Sequence, residues 1–178
     1  MLSELMVKKL NDQVELEFYS SNLYLQMSSW AAFQGLDNCS EFLRAHSQEE
    51  MGHMFRLFDY INETGAQAVL QTIDKPPHEF KDVAELFQVI YEHERHVTSK
   101  INDLAAVAFE EKDFSTFNFL QWYVAEQHEE EKLFKTILDK IEIIGVDGRG
   151  LYYVDMEVGK LASAKAGMPA PTDQPKEL

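Results

Sequence analysis

From Ser3 to Phe33 apolar residues recur every three or four positions with no proline or glycine among them, which predicts one long helix. That helix carries two apolar arcs. Leu10, Val14, Tyr24 and Leu25 share a face with Glu17, while Leu16, Leu23, Met27 and Trp30 lie roughly opposite. A single bundle covers one arc, so the second is expected to pack against a neighbouring subunit. Gly35, Asp37 and Asn38 break the pattern. A second helix is expected from Cys39 to Thr64, with Gly65 ending it. Its apolar stripe is Cys39, Phe42, Leu43, Met54, Leu57 and Ile61.

The periodicity lapses from Gly65 to Lys81, where Pro76 and Pro77 forbid a regular helix. About 17 extended residues reach ~55 Å, more than the ~40 Å of the preceding helix, so this connection can return along a whole bundle before the chain starts again. A third helix from Asp82 to Glu110 sets Val83, Phe87, Ile90, Val97, Ile101, Ala105 and Ala108 on one face. A fourth, from Phe114 to Ile144, does the same with Phe119, Tyr123, Leu133, Phe134, Ile137 and Ile141. After Gly145, Gly148 and Gly150, Leu151 to Leu161 makes a short fifth helix that cannot stand alone. Residues 162–178, with Pro169, Pro171 and Pro175, are expected to form a flexible tail. The fold class that follows is all-α: a four-helix bundle with one long crossover and a short fifth helix, built as a single domain over residues 1–161.

Composition narrows the function classes. A formal charge of −15 repels nucleic acid and anionic membranes and concentrates cations at any mouth or cavity. No apolar run is long enough to span a membrane, and Met1 to Lys9 lacks the apolar core of a secretory signal, so a cytoplasmic protein is expected. The single cysteine, Cys39, sits on an apolar stripe and reads as a packed thiol.

Each apolar stripe is interrupted at mid-length by groups that do not belong in a core. They are Glu17 on the first helix, Glu50 with His53 one turn on in the second, Glu94 on the third, and Gln127 with Glu130 on the fourth. A carboxylate buried without a partner costs several kcal/mol, and four of them face one another here. Two divalent cations would neutralise four carboxylates, and oxygen donors with one imidazole suit iron or manganese better than structural zinc. Tyr24 lies seven residues after Glu17 on the same face, placing its hydroxyl within reach as a core hydrogen-bonding group or an electron donor. His46 reads as a satisfied core histidine ahead of the alternative, a partner to the metal-binding groups, and Trp122 reads as packing. His93 and His96 point away from the face of Glu94, towards the surface or an interface.

These stretches, above all Phe117 to Tyr123 (FNFLQWY) and Glu126 to Glu131 (EQHEEE), resemble the bacterial non-haem ferritins over about Leu2 to Lys160. The resemblance implies an iron-storage protein with ferroxidase activity, 4 Fe²⁺ + O₂ + 4 H⁺ giving 4 Fe³⁺ and 2 H₂O, or a two-electron variant yielding peroxide. It implies a homo-oligomer of 24 subunits around a ferric mineral. It further implies that Glu17, Glu50 and His53 hold one iron, and that Glu50, Glu94 and Glu130 hold a second with Gln127 near it. A third position is implied at Glu49, Glu126, Glu129 and Glu130. The fourth helix pairs Gln127 with Glu130 where related di-iron bundles carry a second Glu-x-x-His, so one iron is expected to lack an imidazole. Met51 stands where bacterioferritins resembling this chain hold haem, but no haem is expected. The competing classes are a di-manganese catalase or di-iron oxygenase, which would need an organic or peroxide substrate, and a DNA-protecting mini-ferritin. The latter often uses a basic arm, whereas residues 1–9 offer only Lys8 and Lys9 against Glu4.

Overall fold

The computed structural model describes residues 2–166, the side chains of the last three apart. Five helices follow in order: α1 Glu4–Phe33, α2 Asp37–Glu63, α3 Val83–Glu110, α4 Phe114–Ile144 and α5 Gly148–Ala166. Three of them begin where a short polar side chain satisfies the first free amides. Ser3 Oγ accepts from Met6 N at 3.0 Å, Asp82 Oδ1 from Glu85 N at 2.9 Å, and Asp113 Oδ1 from Thr116 N at 3.1 Å. The start of α2 follows Leu36, which has no such group. Asp155 of α5 supplies it instead, its carboxylate accepting from Cys39 N at 2.9 Å and from Asn38 Nδ2 at 2.7 Å. Gly65 ends α2 with a φ of 84°, a conformation that costs a glycine little.

The apolar stripes meet as two core clusters separated along the helix axes. One contains Tyr24, Met27, Phe42, Leu43, Phe87, Ile90, Phe134 and Ile137, and the other Leu10, Val14, Leu57, Ile61, Val97, Ile101, Leu120 and Tyr123. Along α1 and α4 the chain passes from the second cluster to the first, and along α2 and α3 from the first to the second. α1 therefore runs antiparallel to α2 and α3 to α4, while α2 and α3 share a direction. A tight turn cannot join helices that run the same way, so the connection 64–82 must travel the length of the bundle. It does so along α1. Near its beginning Val69 N donates to Asn11 Oδ1 at 2.6 Å, and near its end Phe80 packs edge-on to Trp30 with ring centroids 5.6 Å apart.

That path changes the expectation for the second arc of α1. Leu23 and Met27 are buried in the first cluster, Leu16 packs against the second, and Trp30 is covered by Phe80. The chain thus covers much of this arc itself, because α1 is bordered by α2, α3 and the crossover together. Leu25, expected on the inward face, is instead 51% exposed. The fifth helix is longer at both ends than Leu151 to Leu161. Val154 and Val158 enter the first cluster, and Lys140 Nζ meets Glu157 Oε2 at 2.6 Å. Helix therefore continues five residues into the expected tail, and 167–178 lie outside the described residues. Among the described residues no helix is long and apolar enough to cross a membrane.

Candidate metal centre

Between the two apolar clusters lies a polar layer at mid-height, one turn from each of four helices. Glu17, Glu50, His53, Glu94, Gln127 and Glu130 are all buried, each at most 5% exposed. The periodicity that brings Val14 and Tyr24 inward on α1 necessarily brings Glu17 inward between them, and the same holds on the other three helices.

Glu17, Glu50 and His53 converge, with one donor atom from each lying within 4.8 Å of the others. His53 Nδ1 is 3.2 Å from Glu50 Oε2, and Tyr123 fixes the local backbone by donating its hydroxyl to the His53 carbonyl at 2.7 Å. Burial, and then the neighbouring charge of Glu50, push the Glu17 carboxyl up to about 8. Its Oε1 accepts from Gln13 Nε2 at 2.8 Å, whereas its Oε2 is buried without a hydrogen-bond partner. Across the layer Glu94 is held by Gln127, whose Nε2 donates to Glu94 Oε2 at 2.9 Å, and by the Tyr24 hydroxyl, which donates to Glu94 Oε1. Each helix pair therefore has one lone carboxylate steadied by an amide.

Two further groups share Glu49, the half-buried neighbour of Glu50. One is His46, Glu49 and Glu130; the other is Glu49, His53 and Glu126. His46 Nδ1 lies 3.0 Å from the Phe42 carbonyl and donates to it, which turns Nε2 towards Glu130 Oε2 at 3.7 Å. Its backbone bond agrees with a satisfied core histidine, while its other nitrogen stands beside the centre. Glu129 is exposed and joins none of these groups.

The remaining candidates divide. Trp122 packs against His53 with ring centroids 5.1 Å apart and lies under the Arg56 guanidinium at 4.6 Å. Cys39 is fully buried, and desolvation with the adjacent Asp155 pushes its thiol up. His93 turns away from the face of Glu94, as expected, and lines an open groove while remaining partly buried. Its Nε2 meets Ser20 Oγ at 2.7 Å across the α1–α3 seam, its ring lies between Tyr19 and Tyr24, and burial lowers it to about 4. His96 is exposed. Gln13 is not among the groups that the sequence singles out, although Gln127, likewise an amide one turn before a buried carboxylate, is. The place of Gln13 one turn before Glu17 on the same face was the available signal.

A buried layer of four carboxylates and one to two imidazoles, steadied by amides and a tyrosine, suits hard-to-borderline divalent cations with open coordination positions. Comparison with known proteins agrees with that chemistry. The sequence model described as a Ferritin-like domain matches residues 7–144. The chain is 58% identical over 163 residues to a probable bacterial non-heme ferritin-like protein of Haemophilus influenzae, covering 92% of this chain and 99% of that one. It is 52% identical over 161 residues to the bacterial non-heme ferritin of Escherichia coli O157:H7, covering 90% and 98%. Among solved structures it resembles Chlorobium tepidum ferritin with a TM-score of 0.81 and 53% identity, over 90% of this chain and 99% of the other. It also resembles an open pore ferritin from Archaeoglobus fulgidus with a TM-score of 0.87 and 43% identity, over 89% and 98%.

Proposed function

The chain belongs to the ferritin-like family, and from that membership we propose how its buried layer works: it is the ferroxidase centre of an iron-storage protein. The protein oxidises Fe²⁺ to Fe³⁺ and stores the product. Glu17, Glu50 and His53 take the first ferrous ion, and Glu50, Glu94 and Glu130 take the second, with Gln127 and Tyr24 holding Glu94 in place. Glu50 bridges. The observation that carries the assignment is the buried convergence of Glu17, Glu50 and His53 within 4.8 Å, an arrangement that costs free energy unless a cation neutralises it.

The protein's part in the chemistry is to pair two ferrous ions so that dioxygen or peroxide meets two electron donors at once. Carboxylates then favour the ferric products by charge. The second ion has oxygen donors from three carboxylates and no imidazole in its set, a looser hold that suits an ion destined to leave. A third position draws on Glu49, Glu126, Glu129 and Glu130. Glu49 supports it by standing in two cation-sized groups, while Glu129 must turn in from its exposed position. The assembly is homo-oligomeric, and 24 subunits in the cytoplasm is the finer proposal. Haem has no part in this reading.

The test is sizing of the purified protein followed by aerobic addition of Fe²⁺ with dioxygen uptake recorded. Rapid oxidation of about two Fe²⁺ per chain without any organic substrate is expected. Uptake that waits for an organic substrate would instead indicate an oxygenase.

A further inference from the structure

Between α1 and α3, beside the crossover residues Asp74 and Lys75, an open groove of about 580 Å³ faces solvent. Gln13 lines this groove, is only 2% exposed, and donates to Glu17 Oε1 on its far side. One side chain thus touches both the groove and the metal layer. Its amide also decides how Glu17 can bind. With Oε1 engaged by Gln13 and Oε2 buried without a hydrogen-bond partner, the carboxylate offers a cation one oxygen.

We propose that Gln13 is a positioning residue and a gate: it presents Glu17 to the metal through Oε2 and closes the floor of a groove through which divalent cations reach the centre. The proposal rests on the reading of Glu17, Glu50 and His53 as the ferrous site. Formal charge along the groove is nearly balanced, with Asp12, Glu15, Asp74 and Asp103 against Lys9, Lys75 and Lys100, and of its two imidazoles His93 is engaged with Ser20 while His96 is exposed. The pull on an ion therefore comes from beyond the gate, where four carboxylates lie. An amide suits that position. At this buried position a lysine or arginine would repel the ion, and a carboxylate, unlike the solvated ones along the groove, would add a further buried charge that holds it short of the centre. An amide can turn its carbonyl oxygen to the passing ion and then restore its N–H to Glu17.

Cobalt(II) is the probe, because dioxygen does not oxidise it under these conditions and its visible absorption reports ligation, so filling can be followed by stopped flow on the full assembled protein. In Lys100→Cys the new thiol stands in the groove while Cys39 is buried with its thiol pushed up, so a bulky maleimide goes to position 100. Labelling is expected to slow filling by roughly tenfold relative to the unlabelled variant, within the range over which association rates respond to mutation. The final cobalt content per chain should stay the same. Gln13→Ala should fill severalfold faster than the unsubstituted protein, whereas Gln13→Leu, which keeps the bulk and loses the donor, should not. Equal filling rates with and without the label, or a Gln13→Ala rate equal to that of the unsubstituted protein, would overturn the gate. Failure of the unsubstituted protein to take up cobalt at Glu17, Glu50 and His53 is a distinct result, which would strike the metal-centre reading itself.

Discussion

At the scale of single residues the centre is a set of charges held in an apolar interior, and its proton chemistry follows from that. Glu17 ionises near 8 in the fold against 4.5 as its ordinary value. Its protonated form favours the folded apo-protein, and that contribution fades as pH rises from about 4.5 through about 8. A metal needs the carboxylate, so binding must release the proton wherever Glu17 still holds it. Zn²⁺ titrations in buffers of different ionisation enthalpy should show about one more proton released per chain at pH 6.5 than at pH 9, with affinity rising between them. Proton release that does not change with pH would contradict the burial argument. Glu50→Ala removes the proposed bridge and a like charge beside Glu17, so initial dioxygen uptake should collapse while the apo-protein melts no lower. Normal initial rates would rule out the bridge. The six groups of the layer were legible in the sequence because a polar residue on an apolar stripe is visible as a break in periodicity. The bond from Gln13 to Glu17 and the approach of His46 Nε2 to Glu130 were not, since each depends on how a side chain turns once the helices are packed. The partner of His93 is illegible for a related reason: the helical angle turns the ring off the face of Glu94 but does not say that it meets Ser20 on α1.

The helices are set by local rules, with two exceptions that carry consequences. Ser3, Asp82 and Asp113 cap their own helices, but α2 is capped from a distant part of the chain by Asp155, which also anchors α5. Asp155→Ala should cost about 1 kcal/mol, in the range for loss of a helix cap. It should also raise amide exchange across α5 more than across α3, and equal protection in α5 before and after the substitution would break the proposed coupling. This is also why the fifth helix was read as shorter than it is. Gly148 and Gly150 look like breakers, and only the docking surface of α2 and α4, invisible to a local pattern, extends the helix past them. The other exception is Lys112, which follows α3 with φ 58°, the sole non-glycine with positive φ among the described residues. Asp113 N reaches Ala108 O at 2.9 Å around it, the closure that ordinarily places a glycine there. Lys112→Gly should stabilise the fold by about 0.5–1 kcal/mol, since it relieves the left-handed strain but loosens the unfolded chain. Chemical denaturation would measure it, and a lower midpoint would show that the lysine side chain contributes something the backbone argument omits.

For the whole molecule, the two-cluster core and the parallel direction of α2 and α3 account for the long crossover, and the crossover in turn decides which apolar surface is left for other subunits. A helix with apolar arcs on two sides suggested that Leu23 and its neighbours meet a partner, but Leu23 is 2% exposed within one chain. A charge at Leu23 would be buried in this chain's own core, so Leu23→Glu should unfold the protomer rather than merely disperse the assembly. Leu25 sits two positions away and points the other way, 51% exposed beside the α1–α2 surface that carries Ser28, Ser40, Arg44 and Pro76. An exposed leucine on a helix face next to the crossover is where a second copy can bury apolar area without disturbing the protomer. Leu25→Glu should therefore leave helicity and thermal cooperativity near those of the unsubstituted protein while sedimentation shifts from the homo-oligomer towards smaller species. Dilution should enhance the shift, because dissociation of a weakened symmetric contact depends on concentration. A folded Leu25→Glu of unchanged size at all concentrations would place the contact elsewhere, and an unfolded one would show that Leu25 serves the protomer itself. A folded Leu23→Glu protomer of reduced size would return it to the arc that the crossover covers.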